Sequence, residues 1–315
     1  MFLATSTKRI VSLFAILVFV AVVICSGVAM GGENAVTASD SYIKWVKFDV
    51  PYSALNKALN YDIKTHSEEV KVSWIEILAY LAAKYYGSFS RYKSADMDKF
   101  VAQIKGGAKI EEITKDMKYY SFYFEAYTAV LGGFVGSYRI QQKDKDGNIV
   151  WVEKYGLQVF SPIAKGYGYS HYDDYGDSRT YGYRRTHLGN DLIGSIGTPV
   201  IAVESGVVEV LGWNMYGGWR IGIRSLDGKR SYYYAHLRKN RPYAEGLKVG
   251  QTVQAGDVIG YLGMTGYSLK ENVNNMTTPH LHFGIQLIFD ESQKEGVNQI
   301  WIDVYNIVNL LQNNR

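Results

Sequence analysis

TTPHLHFGIQ, residues 277–286, sets two histidines one residue apart inside an apolar, strand-like run. Side chains alternate along an extended strand, so His280 and His282 share one face while Leu281 and Phe283 point to the other. The chain holds six histidines in 315 residues, so the remaining four decide whether this pair is chance packing or part of a larger constellation. His187 lies in THLGNDLIG, four residues before Asp191. A helix would carry both on one face, but it tolerates the intervening Gly-Asn poorly, so a shaped loop entering a strand is expected. His236 closes the run SYYYAHL. Four of the six histidines and one acid therefore fall in glycine-rich β segments that contain no cysteine. That donor set favours a nitrogen and oxygen site for zinc.

The period around these residues supports an antiparallel β domain. YRIQQKDKDGNIVWVEKYGLQVF alternates across an Asp146-Gly147 turn, a strong hairpin signal. Short runs such as PVIAV, GVVEVLGW, RIGIRS and QTVQAGDVIGYLG recur between glycines, which argues for an all-β sandwich or barrel over residues 138–315. WIDVYNIVNLLQ at 301–312 reads as a C-terminal helix, or as a strand followed by a helix.

Upstream, residues 42–137 read as a small helical domain. Ser73 and Glu76 form a capping-box signature ahead of WIEILAYLAAKYYG, a second helix runs from Ser94 to Gly106, and a third from Ile110 to the LGG at 131–133. Glu76 is read as a cap and His66 as a surface residue at a helix end. Residues 10–30 carry no charge and follow Lys8 and Arg9. Their length suffices to cross a bilayer, and the cations favour a cytoplasmic N-terminus, so residues 1–32 are expected to be a retained membrane anchor or a cleaved signal segment. The only cysteine, Cys25, lies inside this stretch, so the exported body has no disulfide. The fold class expected is α+β: an N-terminal membrane helix, a small helical region, then an antiparallel β domain.

A net charge of +4, spread among acids, gives nucleic-acid binding little support. Tyrosine is the unusual residue, with 27 copies concentrated in stretches such as YGYSHYDDYGDSRTYGY at 167–183. Packing explains those stretches more economically than a polymer-binding groove.

The order H-x-x-x-D, GTPVIA, YAHL, VxxGxxIGxxGxTG and PHLHFG, over residues 184–290, resembles the lysostaphin and LytM-type zinc metallopeptidases, which cleave peptide bonds in peptidoglycan. The resemblance implies that His187, Asp191 and His282 bind Zn2+, and that His236 and His280 are unligated catalytic histidines. Three ligands leave the open position that a catalytic zinc needs. With no HExxH motif, a histidine is the natural proton carrier. Tyr181 or Tyr183 is a candidate for stabilising the oxyanion. Two features depart from the family: a longer loop, YSLKENVNNMTT at 267–278, borders the site, and Gly284 stands where an acid is common.

The activity implied is that of an exported zinc endopeptidase acting on stem peptides or cross-bridges, held at the cell membrane as a single-pass protein or secreted to the wall. The rival reading is a non-catalytic envelope scaffold or amidase activator, with an envelope protein partner and a role in sporulation. The helical region either covers the cleft and keeps the enzyme latent, or serves as a spacer or docking module, with the second favoured.

Overall fold

The helix that follows Ser73 forms as expected, but its cap comes from a different helix. The structure, a computed structural model, describes residues 42–296 and 298–314. Five helices come first: α1 (Tyr52–Thr65), α2 (Trp74–Lys84), α3 (Ser94–Lys105), α4 (Ile110–Thr114) and α5 (Tyr120–Leu131). Ser73 is the N-cap of α2, yet its side chain makes no capping bond. Asp62 of α1 accepts from the Trp74 N–H instead, at 2.9 Å. A side-chain cap contributes about 1 kcal/mol wherever it originates, and here it also fastens two helices together. Glu76 does reach back to the Ser73 backbone, so half of the box is present.

The single helix expected from Ile110 is broken into α4 and α5. Turns through Met117, whose N–H donates to Thr114 O (2.9 Å), re-aim the chain. The second piece can then bury Tyr123, Ala126, Tyr127 and Val130. His66 caps the end of α1, where its ring stacks on Tyr155 at 3.4 Å.

Strands β1 (Val135–Lys143) and β2 (Ile149–Leu157) form the expected hairpin. Asp144 shapes its loop by accepting from the N–H groups of Asp146 and Asn148, at 2.9 and 2.8 Å. The remaining strands are β3 (Ser170–His171), β4 (Ser178–Arg179), β5 (Arg185–Thr186), β6 (Asn190–Ile193), β7 (Pro199–Ile201), β8 (Gly206–Asn214), β9 (Gly218–Ser225), β10 (Arg230–Ala235), β11 (Thr252–Val253), β12 (Val258–Tyr261), β13 (His280–Leu287) and β14 (Ile300–Ile302). Eight of them make one antiparallel sheet in the order β11-β8-β9-β10-β13-β6-β3, with β14 also paired to β13. The strand order does not close on itself, so this sheet is open and not a barrel. Helix α6 (Tyr305–Asn313) follows β14 directly, which settles the strand-then-helix reading of 301–312.

The described residues form one compact unit, and a single cluster of buried apolar side chains runs from the helices through the sheet. Arg230 of β10 ties the two parts together. It is fully buried, donates to both oxygens of Glu204 (2.8 and 3.0 Å) and to Asp227 (2.7 Å), and reaches the Ala129 carbonyl of α5 at 2.6 Å. That carbonyl is in the last turn of a helix, where a cation is favourable. The apolar stretch at 10–30, expected to be a membrane segment, lies outside the described residues. Among the described residues no helix is long and apolar enough to cross a membrane.

Candidate active site

Strand β13 is the centre of the sheet region that carries the histidines. Leu281 and Phe283 are fully buried in the core, as the alternation requires, which sends His280 and His282 to the opposite face. Register then brings partners to them. His282 is paired with Asp191 on β6 and with Ala235 on β10, so His236, the next residue, follows at the same level. His236 has φ 59°, a left-handed conformation that costs a non-glycine residue energy and often marks a functional position. Its N–H donates to Gly217 O at 2.7 Å, which holds the bend.

His187 arrives from the loop before β6. Gly189 lets that loop pass close over β13, because a Cβ there would meet Phe283 O at 2.6 Å and the His282 ring at 2.8 Å. Gly284 has a similar explanation: a Cβ would lie 2.8 Å from Leu188 O and 3.1 Å from the Trp301 ring. The acid common in the family has no room in this chain.

Three donor atoms converge. His187 Nε2 lies 2.8 Å from His282 Nδ1 and 3.1 Å from Asp191 Oδ1, and His282 Nδ1 is 3.3 Å from the same oxygen. Zinc in a tetrahedral N/O site holds its ligand atoms at about 2.0–2.1 Å, which places them about 3.3 Å from one another. The observed set is close to that size. His187 Nδ1 donates to the Asp174 carbonyl at 2.9 Å, which leaves the Nε2 lone pair facing the other two donors, the usual support for a metal-binding imidazole. The donor chemistry and spacing therefore fit zinc.

His236 and His280 stand beside this group with ring centroids 4.6 Å apart. Each donates its Nδ1–H to a carbonyl at 2.8 Å, Thr265 O for His236 and Thr278 O for His280. Each Nε2 is then the atom available to accept or return a proton, and His280 Nε2 is 3.7 Å from Asp191 Oδ1.

Electrostatics follow from burial. Burial pushes His236 well below the ordinary imidazole range, and neighbouring His280 and His282 push the same way. His282 is lowered by burial and partly restored by Asp191. For Asp191, burial raises the carboxyl, but hydrogen bonds from His187 and His282 outweigh it and hold the group far below the carboxylate range. Asp174 is raised by burial and by the charge of Asp191.

Sequence reasoning missed two residues here. Arg179 Nη2 donates to Asp174 Oδ2 (2.7 Å) and Asp191 Oδ2 (3.1 Å) and lies 3.0 Å from His187 Nδ1. Both Asp174 and Arg179 sit within the tyrosine-rich stretch, whose paired acids and lone arginine were the available signal. Tyr181 and Tyr183 do not line the cavity of about 190 Å³ over the histidines; Tyr216, Tyr233 and Tyr267 do. Tyr181 instead stacks on Tyr267 at 4.7 Å, and Tyr183 meets Tyr216 edge-on at 5.9 Å. The longer loop does border the site, with Tyr267 and Met276 in the cavity wall. Asn272 pins it by accepting from Trp219 Nε1 and from Asn240 N–H, at 3.0 and 2.8 Å. No residue of 42–137 lines this cavity, so the helical region does not cover it.

Comparison with known proteins gives the family of the segment that carries these residues. The model of peptidase family M23 matches residues 185–298. The L-Ala–D-Glu endopeptidase of Bacillus subtilis is 44% identical over 124 residues, 39% of this chain and 36% of that protein. Lysostaphin of Staphylococcus simulans is 39% identical over 132 residues, 41% of this chain and 23% of that protein. The glycyl-glycine endopeptidase ALE-1 of Staphylococcus capitis is 40% identical over 121 residues, 38% and 28% of the two chains. The chain thus spans little more than a third, or less, of these relatives. A LytM-like structure from Ruminococcus gnavus has the same fold over 90% of this chain and 94% of its own, with TM-score 0.54 and 22% identity. Residues 185–298 are a peptidase family M23 domain, homologous to those of the L-Ala–D-Glu endopeptidase and lysostaphin.

Proposed function

We propose that this protein is an exported, zinc-dependent endopeptidase that hydrolyses peptide bonds in peptidoglycan. The observation that carries the reading is the convergence of His187, Asp191 and His282 beside two imidazoles whose Nδ1 atoms are tied to carbonyls. Bound zinc supplies Lewis acidity, which polarises a carbonyl and makes water a better nucleophile. The chain's own residues do the rest. His236, kept neutral by burial, offers Nε2 to take up the proton that the attacking water gives up, and His280, whose ring centroid lies 4.6 Å from that of His236, offers the Nε2 through which that same proton reaches the departing amine. Thr265 and Thr278 fix both rings in the tautomer that this exchange needs. Arg179 orients Asp191 and Asp174, and so the ligand set.

Relatives bearing this domain are named for cutting L-Ala–D-Glu and glycyl-glycine bonds, which supports a wall peptide as substrate. The uncharged stretch at 10–30 supports export and attachment to the membrane. The test is to incubate the purified protein with isolated peptidoglycan and identify new peptide ends by mass spectrometry. Defined new ends that vanish with a chelator are expected, whereas intact peptides would mean that the domain serves as a scaffold.

A further inference from the structure

We infer that Arg185 recognises a carboxylate of the substrate beside the bond that is cut, an inference that rests on the peptidase reading above. Arg185 lines the cavity that holds the four histidines. Its guanidinium is held by aromatic faces, 4.4 Å from the Tyr216 ring and 5.1 Å from the Tyr267 ring, while Nη1 donates to the Tyr181 carbonyl at 2.7 Å. Among the described residues no carboxylate pairs with it. That distinguishes it from the other cation in the cavity wall, Arg179, which Asp174 and Asp191 neutralise.

A guanidinium carries five in-plane N–H donors, and stacking on rings uses none of them. Tyrosine faces thus fix Arg185 in place while leaving its charge and most of its donors to a ligand. The matching ligand is a planar anion with two oxygens, a carboxylate, which arginine binds as a bidentate fork.

Position agrees with this chemistry. Arg185 and His187 are two residues apart in extended backbone, so both side chains leave the same side with α-carbons roughly 7 Å apart. A scissile carbonyl seated at the His187 ligand set places the next residue's carboxylate within the arm's reach. A glycyl-glycine bond has no such group. A bond to D-Glu has one, because whichever carboxyl forms the peptide bond, the other remains. The geometry therefore favours an acidic stem peptide over a glycine bridge.

The test compares an L-Ala–D-Glu–L-Lys peptide with the same peptide whose free glutamate carboxylate is converted to a carboxamide. Two quantities are measured on the full-length protein: kcat/KM for the two peptides, and Kd for their ketomethylene analogues, which cannot be cut. The expected preference for the carboxylate is about tenfold or more in both quantities. In Arg185→Gln both ratios fall to near unity, Arg185→Lys keeps part of the preference, and Arg184→Gln, a change at the exposed neighbouring cation, leaves the ratios intact. Thermal melts confirm that each variant is folded. Equal cleavage and equal binding of the two peptides by the wild type would overturn the inference while leaving the peptidase reading standing, and so would an unchanged preference in Arg185→Gln. Selective binding with no cleavage of either peptide would support the inference and sink the peptidase reading.

Discussion

Asp191 and His282 face each other as a register pair across β6 and β13, with Oδ1 and Nδ1 3.3 Å apart. Strand pairing thus builds two of the three donors into the rigid centre of the sheet, and only His187 depends on a loop. Asp191→Ala should leave the sheet intact but remove the donor that bridges both imidazoles. We expect the purified variant to lose stoichiometric zinc, read by elemental mass spectrometry, with a wild-type circular dichroism spectrum. Full zinc occupancy in the variant would exclude Asp191 as a ligand.

Arg179 touches three members of the site through one nitrogen. Partners of ligands typically contribute 10- to 100-fold to metal affinity. Arg179→Gln should weaken zinc binding by about that factor, measured by competition with a chromogenic chelator. An unchanged affinity would reduce Arg179 to a surface contact.

The fold-defining elements were legible where one period dominated. The alternation in HLHFGIQL predicts the burial of Leu281 and Phe283, and α2, α3 and the β1–β2 hairpin fall close to their expected bounds, whereas the helix expected from Ile110 is split in two. Long-range partners were not legible. Asp62 caps α2 from another helix, and Arg230 reaches from the sheet to Ala129. Neither follows from local spacing, because both depend on which elements pack together. The five site residues stand out in sequence because their chemistry is rare and strand-borne. Arg179 and Asp174 were hidden in an irregular loop whose path only the tertiary structure fixes.

The Arg230 contact predicts a stability effect. Replacing Arg230 with Met leaves Glu204 buried with only Tyr232 donating to it, at 2.5 Å. Breaking a buried ion pair from one side costs about 3–5 kcal/mol. Denaturant unfolding of Arg230→Met should show a loss of that size. A loss below about 1 kcal/mol would mean that the contact does not hold the helices to the sheet.

His171 provides a pH test away from the catalytic group. Burial lowers its pKa from the ordinary 6.5 to about 4, and its Nε2 has no hydrogen-bond partner. As pH falls through 6.5 the unfolded chain takes up a proton that the folded chain refuses. This stabilising contribution is fully present above about pH 6.5, shrinks as pH falls towards 4, and changes no further below that. Its size is on the order of 2–3 kcal/mol, allowing for the ring's partial exposure. Comparing wild type with His171→Phe in unfolding experiments between pH 7 and 4 should show a shallower pH dependence in the variant. Parallel curves would rule out His171 as a source of the acid sensitivity.

The claim that His236 and His280 move protons beside a metal held by other residues is tested most directly at His280. The measurement is release of new peptide ends from purified peptidoglycan by wild type and His280→Ala, at matched zinc content. We predict full zinc occupancy in the variant and a rate lower by about 10²–10⁴. Undiminished hydrolysis by a zinc-loaded His280→Ala protein would contradict the account.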